Sequence, residues 1–193
     1  MRQLCVFSGS SHGRDPRYAT AAAGLARALV SRGIGVVFGG GSVGLMGVLA
    51  DHVLAAGGRV TGVIPHGLAA RELAHRGVSD MRVVPTMHAR KALMAELADG
   101  FVALPGGIGT FEELFEIVTW AQLGIHRKPV GVLNVAGYYD PLAALLDHAV
   151  DAGFVSAANR GLVLVDDDVE RLLDRMASHE PPPAPAWIRP EEA

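Results

Sequence analysis

The stretch Leu4–Ser11, LCVFSGSS, contains the pattern that decides the fold: a short apolar run followed directly by small and polar residues. An apolar run such as Leu4–Phe7 is typical of a strand buried on both faces, and SGSS is typical of the turn after such a strand. A helix is predicted next at 16–32, because this segment is rich in Ala and Leu, begins with proline and is followed by Gly33. The stretch therefore predicts the first strand–turn–helix unit of a parallel sheet.

The same unit recurs along the chain. Further apolar runs predict strands at 34–38, 60–64, 81–84, 101–104, 130–135 and 162–165, and periodic stretches predict helices at 45–56, 87–98, 111–123, 139–152 and 169–176. Strands that alternate with helices need crossover connections, which make the strands parallel and place helices on both faces of the sheet. We therefore expect a Rossmann-like, doubly wound α/β fold, in which ligands bind beyond the carboxyl ends of the strands.

Length and composition limit the chain to one domain. Its 193 residues, 50% of them hydrophobic, are enough for a single substantial core. The stretch EPPPAP at 180–185 cannot continue a helix or a central strand, because proline lacks the backbone N–H group. We expect one domain over residues 1–178 and an extended or disordered proline-rich tail over residues 179–193.

Charge and cysteine content exclude several classes of function. The formal net charge is −3 and no run of Lys or Arg is present, so neither a nucleic acid nor a membrane surface is an expected partner. Cys5 is the only cysteine, which rules out an intramolecular disulfide and a multi-cysteine zinc site. The eight histidines show no spacing typical of a helical metal site, so no metal is expected. Neither a signal peptide nor a run of about 18 apolar residues is found, and the expected location is the cytoplasm.

Three glycine-rich turns follow predicted strands, at 8–11, 39–44 and 105–109. Each alone is a weak signal, since such turns are common in α/β folds. Together they fall at one edge of a parallel sheet, where glycine lets backbone N–H groups approach an anion and a helix N-terminus favours negative charge. The turns therefore predict a phosphate site.

The third turn continues as Pro105–Glu113, PGGIGTFEE, and is the most specific signal. Its glycines can form an anion nest, and Thr110 can cap the following helix or donate its hydroxyl to a phosphate. Glu113 has two interpretations at this stage. A carboxylate near the start of a helix ordinarily stabilises the helix dipole, but behind a phosphate nest it can also reach the sugar of a bound nucleotide.

Arg90 and Lys91 form a second group of interest, in the stretch MHARK at 87–91. Such a pair is ordinarily a solvated basic patch. Here Lys91 and Lys128 are the only lysines, so the pair is not part of a generally basic surface. Arg90 offers a planar fork of donors for a phosphate, a ribose or a base edge, and it stays protonated, so its expected role is charge stabilisation and positioning.

Three of these stretches resemble the signatures of the LOG family of cytokinin-activating enzymes: GGGSVGLMG at 39–47, the Arg90-Lys91 pair, and PGGIGTFEE at 105–113. The stretch TWAQLGIHRKPV at 119–130 is similar as well, and the resemblance covers residues 1–178. It implies a homodimeric Rossmann-like enzyme that hydrolyses cytokinin riboside 5′-monophosphates, with AMP also accepted by many bacterial members. No cofactor is expected, because the sequence offers neither a metal-ligand cluster nor a credible Schiff-base lysine.

The resemblance also assigns roles to residues. It implies that Arg90 and Glu113 are the catalytic pair, and that substrate contacts come from Glu72, Lys91, Thr119 and the loop Gly107–Glu113. Ile108 stands where plant members often have tyrosine and Ser8 where they often have cysteine. With the glycine turns, the candidate substrate-binding residues are Ser8, Gly9, Gly40, Gly41, Glu72, Arg90, Lys91, Gly106, Gly107, Ile108, Gly109, Thr110, Phe111, Glu112, Glu113 and Thr119.

Three alternative functions remain to be weighed. A non-catalytic nucleotide carrier would use the same glycine turns, but it has no need of an Arg–Glu pair. Family members are often labelled lysine decarboxylases, which would need pyridoxal phosphate and a Schiff-base lysine, and only Lys91 and Lys128 are available. An NAD-dependent dehydrogenase would need the spacing Gly-x-Gly-x-x-Gly in the first turn, which the turn after Phe7 lacks.

Overall fold

A computed structural model describes residues 1–69, 74–78 and 80–182. Within these residues, one sheet contains seven strands in the order β4-β3-β2-β1-β5-β6-β7, and every neighbouring pair is parallel. The doubly wound α/β fold predicted from the sequence is therefore confirmed. The strands are β1 Gln3–Phe7, β2 Gly35–Phe38, β3 Val60–Pro65, β4 Asp80–Val84, β5 Gly100–Ala103, β6 Val130–Leu133 and β7 Val163–Asp166.

Helices connect the strands and cover both faces of the sheet. They are α1 Pro16–Ser31, α2 Gly44–Ala55, α3 His66–Ala69, α4 Met87–Leu97, α5 Ile108–Gln122, α6 Asp140–Asp151, α7 Ala157–Arg160 and α8 Val169–Ala177, with a 3₁₀ turn at Val135–Gly137. The six long helices were predicted to within a few residues. The two four-residue helices and the 3₁₀ turn were not predicted, because segments this short show no helical period.

The largest boundary error lies at α5, which was predicted to begin at residue 111 but begins at Ile108. Gly107 is its N-cap residue, so Gly109 and Thr110 belong to the first helical turn. The expectation that Thr110 caps this helix is therefore wrong. Glu113 lies beyond the first turn, which contains no acidic residue, so the interpretation of Glu113 as a partner of the helix dipole is weakened.

The core lies on both faces of the sheet, and β1 shows why its residues are continuously apolar. Leu4 and Val6 pack with the apolar sides of α1, α2 and α8, whereas Cys5 and Phe7 pack with those of α4 and α5 on the other face. Successive side chains of a strand point to opposite faces, so a central strand needs apolar residues at every position.

The central position of β1 brings the glycine turns together. β1 pairs with β2 on one side and with β5 on the other, so the strand order reverses its direction at β1. In doubly wound sheets, ligands bind at the carboxyl edge beside such a reversal. The N–H of Gly9 donates to the carbonyl of Pro105 at 3.0 Å, and the N–H of Leu45 donates to the carbonyl of Gly9 at 3.0 Å. Gly44 must be glycine: its φ is +60°, and a Cβ there would lie 2.3 Å from the backbone of Ser10.

The chain beyond α8 is only partly described. Nη2 of Arg127 donates to the carbonyl of Pro181 at 3.2 Å. Residues 183–193 lie outside the described part, so the domain boundary at 178 and the nature of the tail stay predictions. In the described part, no helix has the length and apolar character needed to cross a membrane.

Candidate active site

A cavity of about 400 Å³ opens at the carboxyl edge of the sheet, above β1. Its size is typical of small-molecule sites. Residues from the end of β1, the turn after β2, and helices α2, α4 and α5 surround it. The lining residues are Val6, Phe7, Ser8, Ser10, Gly39, Gly41, Val43, Met46, Ile64, Leu68, Arg90, Gly107, Ile108, Gly109, Thr110 and Glu113.

Arg90 and Glu113, the predicted catalytic pair, meet in this cavity. Nη2 of Arg90 lies 3.3 Å from Oε1 of Glu113, and the two side chains are only 10% and 11% exposed. Burial raises the pKa of the Glu113 carboxyl above its ordinary value, while the positive charge of Arg90 opposes that rise. The pair thus places a carboxylate in a poorly hydrated pocket beside a permanent cation.

Gly39 creates the space that Arg90 occupies. A Cβ added to Gly39 would lie 1.8 Å from Nη2 of Arg90, so the guanidinium lies directly against the backbone of the turn after β2. Nη1 of Arg90 contacts Sδ of Met87 at 3.8 Å, and the buried Nε has no hydrogen-bond partner among the described residues. Gly39 was not among the site residues predicted from the sequence, although it begins the Gly39–Gly41 run.

The N-terminus of α5 forms one wall of the cavity and is suited to an anion. Its N-cap, Gly107, makes no side-chain cap, and the first helical hydrogen bond runs from the N–H of Phe111 to the carbonyl of Gly107 at 3.1 Å. The preceding N–H groups of the first turn have no acceptor within the helix. Thr110 is buried beside them, and a Cβ on Gly106 would lie 2.1 Å from its hydroxyl oxygen. The local geometry supports the predicted phosphate site.

Apolar residues form the rest of the wall and were not selected from the sequence. Met46 lies on α2, Ile64 on β3 and Leu68 on α3, and all three line the cavity. They come from segments distant in the chain, so no local pattern links them. Their surface is suited to a planar heterocycle.

Several predicted glycines lie close to the cavity without lining it. Gly9 and Gly106 line an adjoining cavity of about 280 Å³, which shares Ser10 and Gly107 with the first. Gly40 lies behind the wall, has a φ of +74°, and accepts a hydrogen bond from the N–H of His75 at 2.8 Å.

Four other predicted contacts in the described chain do not line the cavity: Lys91, Phe111, Glu112 and Thr119. The ammonium of Lys91 contacts Glu112 and lies 2.9 Å from Glu116, outside the cavity. The exposed hydroxyl of Thr119 donates to the carbonyl of Phe115 at 2.7 Å. The ring of Phe111 packs against the rings of Tyr138 and Tyr139. Glu72 lies outside the described residues. All of these roles stay predictions.

The lysines have positions that bear on the decarboxylase alternative. Lys91 is paired as described above, and Nζ of Lys128 donates to the carbonyl of Ala95 at 2.7 Å in a separate cavity. Neither lysine lines the cavity that contains Arg90 and Glu113. Among the residues the structure describes, no group of three or more His, Cys, Asp or Glu side chains could hold a metal ion.

Comparisons with solved structures show the fold. A molybdenum cofactor carrier protein from Chlamydomonas reinhardtii matches with a TM-score of 0.69 and 22% identity, over 92% of this chain and 98% of its own. A molybdenum cofactor binding protein from Rippkaea orientalis matches with a TM-score of 0.68 and 19% identity, over 91% and 95% of the two chains. At such identity the likeness extends to the fold alone.

Sequence comparisons identify the family. A family model described as "Possible lysine decarboxylase" matches residues 46–176. A probable cytokinin riboside 5′-monophosphate phosphoribohydrolase from Oryza sativa is 51% identical, over 94% of this chain and 74% of its own. A cytokinin riboside 5′-monophosphate phosphoribohydrolase from Arabidopsis thaliana is 50% identical, over 93% of this chain and 84% of its own. The family model covers both helices that carry the Arg–Glu pair. The chain therefore belongs to the LOG family of phosphoribohydrolases.

Proposed function

We propose that this protein is a hydrolase that cleaves the N-glycosidic bond of cytokinin riboside 5′-monophosphates, releasing the free base and ribose 5-phosphate. The observation that carries this proposal is the buried Arg90–Glu113 pair, 3.3 Å apart, in a cavity bounded by the N-terminus of α5. The names of relatives about 50% identical to this chain support the same activity.

Glu113 supplies the main catalytic charge. Breaking the bond between C1′ and the base nitrogen leaves the electron pair on the base and builds positive charge on the ribose, as in other glycoside hydrolyses. The Glu113 carboxylate stabilises that charge and orients the attacking water. The water oxygen bonds to C1′, and a proton from the water is finally taken up by the departing base, so atoms and charge balance.

Arg90 has two roles next to this carboxylate. It favours the ionised form of Glu113, because its charge opposes the rise that burial causes in the pKa of that carboxyl. It also provides donors for the nucleotide and cannot itself act as a base, since a guanidinium stays protonated.

The 5′-phosphate fixes the ribose in register with Glu113. The free N–H groups at the start of α5, with Thr110 beside them, are suited to bind it. Binding energy from the phosphate, remote from the reacting carbon, is then used to position C1′. The apolar wall formed by Met46, Ile64 and Leu68 receives the base.

The two main alternatives explain less of the site. Lysine decarboxylation through pyridoxal phosphate would need a lysine at the reaction centre, whereas Lys91 is bonded to glutamates and Lys128 lies in another cavity. A carrier would have no use for a buried carboxylate that raises the cost of binding an anionic nucleotide.

We also propose that the working form is a cytoplasmic homodimer. Support for the dimer comes from α5, where Phe115 is 39% exposed and Trp120 is only partly buried, leaving apolar surface that a second subunit can cover. Support for the location comes from the single, buried and free cysteine. Light scattering at assay concentration tests the dimer, and a fully active monomer would contradict it.

Chromatography of the reaction products tests the activity. Purified protein is incubated with AMP, with isopentenyladenosine 5′-monophosphate and with the two unphosphorylated nucleosides. We expect free base and ribose 5-phosphate from the monophosphates only. Equal cleavage of a nucleoside and its monophosphate would refute the phosphate site, and no cleavage of any monophosphate would refute the proposed function.

A further inference from the structure

Two buried polar atoms in the catalytic cavity have no hydrogen-bond partner among the described residues. The hydroxyl oxygen of Ser8 is fully buried and makes no hydrogen bond within the described chain, and the same holds for Nε of Arg90. Ser8 is 8% exposed and Arg90 is 8% exposed, and both line the same cavity. Buried polar side chains nearly always have a hydrogen-bond partner, so two exceptions in one cavity indicate a ligand that supplies acceptors.

Ser8 has no structural reason to be a serine. It follows β1, where the preceding residues Val6 and Phe7 are apolar and buried. An unpaired buried hydroxyl destabilises the folded protein, and alanine at this position would avoid that cost. By contrast, the hydroxyl of Ser31 is satisfied, donating to the carbonyl of Ala28 at 2.9 Å.

The position of Arg90 locates the missing acceptor. Its Nη2 lies 3.3 Å from Glu113, and Nε belongs to the same rigid, planar guanidinium. An acceptor bonded to Nε therefore lies next to the carboxylate that, under the proposed function, faces C1′. Two kinds of acceptor adjoin C1′: a ring nitrogen of the base and a ribose hydroxyl. Only the base gains negative charge as the bond breaks, so donors directed at the base stabilise the transition state.

We propose that Ser8 is a further catalytic residue, whose hydroxyl donates, together with Nε of Arg90, to a ring nitrogen of the departing base. This inference rests on the proposed function. As the C1′–N bond breaks, its electron pair moves to the base, and the two donors stabilise the resulting charge until the base takes up a proton derived from the attacking water.

The first test compares Ser8→Ala with the matched control Ser31→Ala. We expect Ser8→Ala to lower kcat/KM by about 10- to 100-fold, as loss of a hydrogen bond to a charged group does. Its melting temperature should be equal to or above that of the wild type, since an unpaired hydroxyl is removed. Ser31→Ala should keep the wild-type rate. A Ser8→Ala rate within twofold of the wild type overturns the proposal, and so does a fall in rate that is matched by partial unfolding in circular dichroism.

The second test identifies the acceptor by substrate analogues. The ratio of wild-type to Ser8→Ala rates is measured with AMP, 3-deaza-AMP, 7-deaza-AMP and 2′-deoxy-AMP. We expect the ratio to fall to about one with one of the two deaza analogues and to persist with 2′-deoxy-AMP. If the ratio falls to about one with 2′-deoxy-AMP alone, the acceptor is the ribose hydroxyl and the assignment to the base is wrong. If the wild type turns over AMP and Ser8→Ala does so at the same rate, this inference alone is wrong. If the wild type does not turn over any monophosphate, the proposed function is wrong as well.

Discussion

Two neighbouring ion pairs join α4 to α5, and their surroundings differ. Arg90 pairs with Glu113 inside the cavity, where both side chains are about nine-tenths buried. Lys91, the next residue on α4, is also buried, with 11% of its side chain exposed, but its partner Glu112, the preceding residue on α5, is 51% exposed. Burial raises the pKa of Glu113. Burial also lowers the pKa of Lys91, but its hydrogen bonds to Glu112 and Glu116 outweigh this effect and the net shift is upward.

Adjacent residues on α4 therefore pair in different environments, Arg90 inside the cavity and Lys91 outside it. A solvent-exposed pair contributes about 0–1 kcal/mol to stability because water screens it, and the exposed carboxylate of Glu112 is screened in this way. A buried pair must offset the desolvation of both charges, and replacing it by apolar residues is often neutral or stabilising. The Arg90–Glu113 pair is therefore poorly explained by stability, whereas a charge that develops on a substrate explains it well.

Glu113→Gln should have the largest effect. The substitution keeps the shape of the side chain and removes the charge that the oxocarbenium-like transition state needs. We expect kcat to fall by about 100- to 1000-fold while AMP affinity changes by only a few fold, because the missing interaction forms mainly in the transition state. Initial rates and calorimetry on the same preparation measure both. A folded variant that turns over at the wild-type rate would refute the proposed mechanism.

Arg90→Ala should reduce both rate and binding, because its donors contact the nucleotide before and during reaction. The change also leaves Glu113 buried without its cation, which typically costs about 3–5 kcal/mol when a buried pair is broken. We expect kcat/KM to fall about 100-fold, shared between kcat and KM, with a lower melting temperature. Arg90→Lys is the control that keeps the charge but loses the planar fork. An Arg90→Ala variant with wild-type affinity for AMP would show that Arg90 does not contact the nucleotide.

Gly39→Ala should disturb the Arg90–Glu113 pair although neither of these two residues is changed. The added methyl would lie 1.8 Å from Nη2 of Arg90, so the guanidinium must move and its contact with Glu113 is disturbed. A displacement of this kind typically costs about 10- to 100-fold in rate. Gly67→Ala serves as a control, because a Cβ there meets no atom within 4 Å. Equal activity of the two variants would mean that Arg90 adapts, and that its observed position is not required.

The pH dependence of kcat/KM should reveal the environment of Glu113. Its raised pKa means that the catalytic carboxylate is lost on acidification at a higher pH than for an ordinary glutamate. We expect the acid limb of the profile to lie above the usual glutamate range. The stability of the folded protein changes in the opposite direction. Glu113 contributes most to stability below the pKa it has in the unfolded chain, and this contribution is lost as the pH rises through its pKa in the folded protein. An acid limb at the ordinary pKa of glutamate would show that the carboxyl is well hydrated in solution.

Much of the fold follows from local sequence patterns. The doubly wound sheet was predicted because each strand is a continuous apolar run and each long helix has a clear period, as β1 and α1 show. The start of α5 was misplaced by three residues, because glycine and threonine in the first turn resemble a loop. Periodicity cannot reveal that Gly107 adopts the N-cap conformation.

The site was predictable where chemistry is concentrated in one motif and unpredictable where it depends on distant contacts. Arg90 and Glu113 were selected from their motifs, and the structure brings them together. Gly39 could not be assigned as the support of Arg90, because that contact joins β2 to α4 across the sheet edge. The ion pair of Lys91 with Glu112 was also missed, since its geometry depends on how α4 packs beside α5.

Glu112→Gln should have the smallest effect and completes the comparison. Its carboxylate is half exposed and contacts Lys91, which keeps a second partner in Glu116 at 2.9 Å. We expect kcat to stay within about threefold of the wild type and stability to change by less than about 1 kcal/mol, with a smaller difference at high salt because exposed pairs are screened. Thermal unfolding at two salt concentrations and initial rates measure these effects. A loss of rate comparable to that of Glu113→Gln would place the Lys91–Glu112 pair in the reaction and remove the distinction between the two ion pairs.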